Sequence, residues 1–163
     1  PRDAYGRMID FISAGNPKAI TFDILYTEPS IYGEEDDIAL GAAEAKSKKV
    51  IQTFFYSAED YGKTLMPVKP INDNAALLGN KTNQKHNNNI NRRTRHYDTN
   101  NDTEYPTHGL APLFLNEEAP DFSSIPVVDN NTALLRFTKS IDDYFPYSAK
   151  DILESHDLWL QGK

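Results

Sequence analysis

Ala19-Ile20-Thr21-Phe22-Asp23-Ile24-Leu25-Tyr26 is a nearly continuous apolar and β-branched run, closed by Glu28-Pro29. It reads as a central strand buried on both faces, which suits a parallel sheet. Val50-Ile51-Gln52-Thr53-Phe54-Phe55-Tyr56 repeats the pattern. Between the two lies an Ala-rich segment, Ile38 to Lys48, that reads as a helix with Asp36 or Asp37 as its N-cap. Before the first run, Tyr5, Met8, Ile9 and Ile12 recur at i, i+3, i+4 and i+7, the stripe of a helix that Asp3 can cap and Gly15 can end. Helix, strand, helix, strand is the α/β crossover pattern, with right-handed connection as the default. The two strands are therefore expected side by side, parallel and nearly closed to solvent.

Beyond Ser57 the pattern weakens. Met66-Pro67-Val68-Lys69-Pro70 reads as extended, and Asn74 to Gly79 as a short helix stopped by its glycine. Asn87-Asn88-Asn89 can turn the chain between two polar strands, the second being Ile90 to Tyr97. Tyr105-Pro106 opens a further helix over Thr107 to Leu115, which Pro112 weakens. Ile125 to Val128 and Ala133 to Phe137 flank Asp129-Asn130-Asn131 as a hairpin, and Ser148 with Asp151 forms a capping box for a short helix through Leu153. The fold class is thus α/β: a mixed, largely parallel sheet with flanking helices and an Asn-rich hairpin insert. One domain is expected over residues 1–163, with a turn-rich insert at about 72–104, where ten of the fourteen Asn residues fall.

Composition sets the outer bounds. With 39% hydrophobic residues, eight Phe, nine Tyr and one Trp, the 163-residue chain can fill a core, which argues against wholesale disorder despite a mean hydropathy of −0.62. No apolar run approaches the roughly 18 to 20 residues that cross a bilayer; Leu110 to Leu115 is broken by Pro112. Pro1-Arg2-Asp3-Ala4 has neither an initiator Met nor a signal peptide behind it, so either trimmed termini or an excised piece of a longer protein is expected. The absence of cysteine excludes disulfides and thiolate chemistry but leaves the compartment open. The net charge of −7 is uneven: five basic and no acidic residues in 81–96 make a basic island in an acidic protein.

Motifs for known chemistries are missing: there is no G-x-S-x-G, H-E-x-x-H, P-loop or G-x-G-x-x-G. The four histidines, His86, His96, His108 and His156, are scattered and read as surface residues. The best acidic constellation is Asp23, Glu28 and Asp36-Asp37. A carboxylate inside an apolar strand needs a partner. Asp23, Glu28 and Asp36 can converge on a divalent cation or an amine at the strand ends. In the plainer alternative, amides of the Tyr32 to Asp37 loop hold Asp23 while Asp36 caps its helix. The stretch Asn91-Arg92-Arg93-Thr94-Arg95-His96-Tyr97 could meet phosphate, but on an acidic body a solvated or salt-bridged strand is the expectation, and no nucleic acid partner.

In order along the chain, these segments resemble the second CHASE family, the Cyclase/Histidine kinase Associated Sensory Extracellular domains. Tyr5 to Ile12, Ala19 to Tyr26, Glu28-Pro29 and Asp36-Asp37-Ile38-Ala39-Leu40 look like that family's helix, its "a-x-x-F-D-I-L-F" strand and its "D-x-x-L-A" helix start. Asn89-Ile90-Asn91-Arg92-Arg93 is similar to its "D-G-V-x-R-R" turn, with Asn89-Ile90-Asn91 where the family has its "D-G" turn. Tyr105-Pro106, Ile125 to Phe137 and Phe145 to Leu153 resemble its later helix opening, hairpin and "f-x-x-x-S-a-x-d-V-L" helix. The resemblance implies a non-catalytic, extracytoplasmic sensor domain of an inner- or plasma-membrane receptor. It would bind a small molecule or peptide and be tethered through its own transmembrane helices to a cytoplasmic cyclase, histidine kinase or Ser/Thr kinase, with a homodimer as the signalling assembly. Candidate ligand-binding residues are Asp23, Glu28, Asp36, Arg92 and Arg93; no metal or cofactor is implied. The competing readings are a metal-dependent hydrolase or binding enzyme using the acidic site, and a structural assembly module. Leu158-Trp159-Leu160 is expected either to leave an open edge or to pack on the Tyr5 to Ile12 helix, with both chain ends on one side.

Overall fold

The computed structural model describes residues 1–57, 63–82, 93–100, 102–115, 121–129, 131–135 and 139–162. Helix α1, Arg2–Ala14, places Ile9, 1% exposed, in the core with Tyr5 and Ile12 beside it, and ends at Gly15. Helix α2, Glu34–Ser47, packs against α1 through Leu40 and Ala43. Its N-cap is Gly33, at φ +103°, a conformation a side chain rarely tolerates. Asp36 and Asp37 therefore lie inside the first turn and do not cap α2, a correction to the sequence reading. Four consecutive acids, Glu34 to Asp37, suit the positive end of the helix dipole there.

Strand β2, Val50–Ser57, is the axis of the sheet, and Val50 through Phe54 are fully buried as expected. Strand β1, Ile20–Thr21, runs parallel to it in the register Ile20↔Val50. Strand β3, Lys63–Leu65, pairs antiparallel with its end; after the short helix α3, Lys69–Asn72, strand β4, Leu77–Asn80, returns parallel along β2 from Ile51 to Phe54. The sheet is mixed. Among the described residues β2 has parallel ladders with β1 and β4, while the smaller ladders are antiparallel: β5, Arg93–Arg95, with β8, Thr132–Leu134, and β6, Tyr97–Asn100, with β7, Thr103–Pro106.

Several sequence expectations are revised. Ala19 to Tyr26 is not a long strand buried on both faces. Ile20 and Phe22 are buried while Thr21 and Asp23 are exposed, the alternation of a half-exposed strand. The Phe22 amide makes a last bond to the Ile51 carbonyl at 3.0 Å, and the chain then leaves the ladder, with Ile24 and Leu25 exposed. Tyr26 returns to the core on its own and its carbonyl accepts from the Val68 amide. Asn74 to Gly79 yields β4 in place of a helix. Gly79 serves close approach, since a Cβ there would lie 2.7 Å from the His108 Cα.

Tyr105-Pro106 belongs to β7, and the turn that follows is a 3-10 helix, Ala111–Leu115. The Asp129 turn closes tightly, with the Val128 amide donating to the Thr132 carbonyl and an antiparallel bridge between Asp129 and Thr132, but the ladder of β8 runs along β5. The Asn87-Asn88-Asn89 turn and Arg136-Phe137 lie outside the described residues. Ser148 and Asp151 form the expected capping box, and helix α4, Ala149–Leu160, runs on well past Leu153. Trp159 packs edge-on against Phe11, with ring centroids 6.2 Å apart, and Arg7 pairs with Asp157. Pro1 thus stands at the start of α1, while Trp159 rests on Phe11 towards the other end of the same helix. Among the described residues no helix is long and apolar enough to cross a membrane.

Candidate functional site

The junction of the α1 and α2 N-termini gathers a dense set of polar bonds. Asp36 Oδ2 accepts from the Arg2 amide at 2.8 Å and the Ser30 hydroxyl at 2.5 Å, and Oδ1 accepts from the Asp3 amide at 2.9 Å. Asp36 thereby caps α1, satisfying two backbone donors that a helix start leaves unpaired. Burial opposes its charge, but the Ser30 hydroxyl and the Arg2 and Asp3 amides outweigh it and hold the carboxyl down at about 2. Asp37 pairs with the Arg2 guanidinium and accepts from the Ser30 amide at 3.2 Å.

Arg2 ties the corner together. Besides Asp37, it donates to the Glu28 carbonyl at 2.7 Å, and its guanidinium carbon lies 4.8 Å from the Tyr26 ring centre. An open cavity of about 350 Å³ lies against this corner, lined by Arg2, Tyr5, Thr27, Glu28, Ser30 and Asp36 among others. At its edge Ile31 and Tyr32 are exposed, Ile31 at 92%. Two candidate residues, Glu28 and Asp36, therefore meet at one cavity. Because both oxygens of Asp36 and both of Asp37 already accept bonds, the corner holds these acids as structural acceptors rather than as an open cation cage.

Asp23 lies elsewhere. Its side chain is 69% exposed and pairs with Lys81 at 2.5 Å, so the expected hold by amides of the Tyr32 to Asp37 loop is not found. The ion pair stands near His108, where the chain passes the end of the parallel strands. Thr53 Oγ1 donates to the Phe22 carbonyl and lies 3.2 Å from His108 Nδ1. Burial pushes the His108 pKa down; Asp23 opposes that shift and Lys81 reinforces it. Arg93, on β5, bonds Asp129 at 2.7 Å, the salt-bridged state expected of the basic strand. Arg92 lies outside the described residues.

The reading of every histidine as a surface residue fails for two of them. His96 and His156 are buried, His96 between β5 and β6 and His156 beside Trp159. The structural role of Asn80 has no local signal in the sequence. Its side chain accepts from the Tyr56 amide at 2.9 Å and donates to the Tyr56 carbonyl at 3.2 Å and to Asp98 at 2.7 Å, so it continues the β4 ladder by side-chain mimicry. Asp98 in turn accepts from Arg95 at 2.8 Å.

Asp36→Ala is expected to lower stability by about 1 to 3 kcal/mol, the cost of a lost cap that leaves buried donors unpaired. Since the folded carboxyl sits below its ordinary value, wild-type stability from this group is present above pH 4 and lost as pH falls through about 2. Urea melts from about pH 6 to 2 should show the variant losing less on acidification than wild type.

The sequence profile of the CHASE2 domain matches residues 1–163, the whole chain. No curated protein and no solved structure gives a significant match.

Proposed function

Because the chain belongs to the CHASE2 domain family, a family of extracellular, non-catalytic sensor domains, we propose that it is the extracytoplasmic sensing part of a membrane receptor. The observation that carries this reading is the family match across the entire chain. In the intact receptor it would be linked through transmembrane helices to a cytoplasmic cyclase or kinase, acting as a homodimer. The cavity at the α1–α2 corner is the proposed ligand site. Glu28 offers an exposed carboxylate at its edge, Tyr32 an exposed ring, and Ile31 an apolar surface. That combination suits a small molecule or short peptide with an amino group. Asp36 serves the site by fixing its floor. Asp23 and Arg93 stand apart from this cavity's lining and, with Arg92, belong to the proposal only as secondary contacts.

Two experiments test this reading. The chain has no cysteine, so Ile31→Cys places one thiol at the cavity edge of the full-length receptor. A membrane-impermeant maleimide is expected to modify the peptide containing it in intact cells; modification only after lysis would overturn the extracytoplasmic placement. Separately, small amines and short peptides screened by amide NMR should include binders that shift Thr27 to Tyr32, weakened by Glu28→Ala. Binders that leave this segment unmoved and shift another surface would overturn the site.

A further inference from the structure

Glu44 of α2 and Gln52 of β2 meet in the interior, both 0% exposed. Gln52 Nε2 donates to Glu44 Oε1 at 2.5 Å. The remaining oxygens of the pair, Glu44 Oε2 and Gln52 Oε1, are buried and have no hydrogen-bond partner among the described residues. Both are acceptors when the carboxyl is ionised, so neither can satisfy the other. A single proton on Oε2 changes this. The acid O–H can donate to Gln52 Oε1 while Nε2 keeps its bond to Oε1, closing a cyclic acid–amide pair with two hydrogen bonds and no buried charge.

We propose that Glu44 and Gln52 form a proton-binding site whose occupancy sets the contact between α2 and β2. Among the described residues no competing cation pairs with Glu44. From α1, Arg2 is committed to Asp37, and Tyr5 turns its ring to Phe22 and Tyr26. The segment after β1 contributes Tyr26, whose buried hydroxyl also has no partner among the described residues. Strand β1 brings only Ile20 and, just beyond it, Phe22, while Thr53 of β2 is bonded to the Phe22 carbonyl. On α2 itself, Lys46 pairs with Asp10, and Asp36 and Asp37 face the start of α1. On α3, Lys69 and Asp73 pair with each other at the surface. Burial pushes the Glu44 carboxyl up to about 7, with the Gln52 bond pulling weakly the other way. The folded domain keeps this proton where an unfolded chain releases it near 4.5. The stability contributed by this carboxyl is therefore full below about pH 4.5, falls as pH rises towards 7, and is gone above it. This linkage stands whether or not the domain faces the cell exterior.

The test is carboxyl-carbon NMR of the whole 163-residue chain with labelled glutamate, read from about pH 4.5 to 9 together with the Gln52 side-chain amide. One glutamate is expected to titrate near 7, more than two units above an ordinary one, and the Gln52 amide should move with the same midpoint. Glu44→Gln, whose amide supplies the donor that an ionised carboxylate lacks, should abolish that titration and flatten stability between about pH 5 and 8. All glutamates titrating in the ordinary range, or a Gln52 amide unmoved through the Glu44 titration, would overturn the proposal. Should the variant fail to fold, the Gln52 amide titration in wild type decides alone.

Discussion

Gly41→Ala is expected to destabilise the domain by about 3 kcal/mol, although alanine is the better helix former. In an exposed helix interior the exchange would gain roughly 0.5 to 1 kcal/mol from propensity and backbone entropy. Gly41 stands on the buried face of α2, where a Cβ would lie 2.2 Å from the Pro70 carbonyl oxygen and 2.9 Å from its carbon. Both are backbone atoms of α3, so the clash cannot be relieved by turning a side chain. The helices must separate, and overpacking of a well-packed contact costs typically 1 to 3 kcal/mol, more when backbone must move. Because α3 also carries the fully buried Ile71, that separation loosens the core cluster it shares with Val50 and Leu40. Gly109→Ala, with nothing within 4 Å of the added carbon, is the matched control and should shift the urea midpoint little. A Gly41→Ala protein as stable as wild type would show that α3 is not seated on α2 as described.

The α/β class was legible because two strong local signals coincide: the i, i+3, i+4, i+7 stripe from Tyr5 to Ile12 and the apolar run from Val50 to Tyr56. Both elements form where the residues put them. The run from Ala19 to Tyr26 misled because Ile20-Thr21-Phe22-Asp23 supports two readings, and the exposed carboxylate of Asp23 decides for the half-exposed one. Gly79 misled for a different reason. Near the end of Asn74 to Gly79 a glycine signals a helix stop, and only the tertiary approach of His108 shows that the missing Cβ is needed for packing.

The corner around the cavity was half legible. The acids were visible, but Arg2 was not singled out, since its partners lie 26 to 35 residues away and no local pattern joins them. A cation in the first turn of a helix is nonetheless unfavourable against the dipole, and that misfit signals a partner supplied from elsewhere. Glu44 carried a clearer sign: it follows Leu40 by four residues, which places it on the apolar face of α2.

Phe54→Ala is the second large effect and has a different address in the fold. Phe54 is 0% exposed and, with Ile51 and Ala111, is buried outside the cluster that joins α1, α2 and β1. Its ring meets Tyr105 of β7 at 4.8 Å between centroids, and its carbonyl accepts from the Lys81 amide. The side chain therefore seats the β6–β7 ladder on the sheet. Truncation of a buried Phe costs about 3 to 5 kcal/mol through lost transfer energy and the cavity left behind. What distinguishes this variant from Gly41→Ala is where the loss falls. Asn80 still binds Asp98, so the ladder keeps a polar tether while losing its apolar one. Hydrogen exchange should accordingly show Tyr97 to Pro106 opening well below the global unfolding energy, while amides of α1 and α2 continue to exchange only with global unfolding. Uniform loss of protection across the chain, or none at all, would mean that Phe54 does not join the ladder to the sheet.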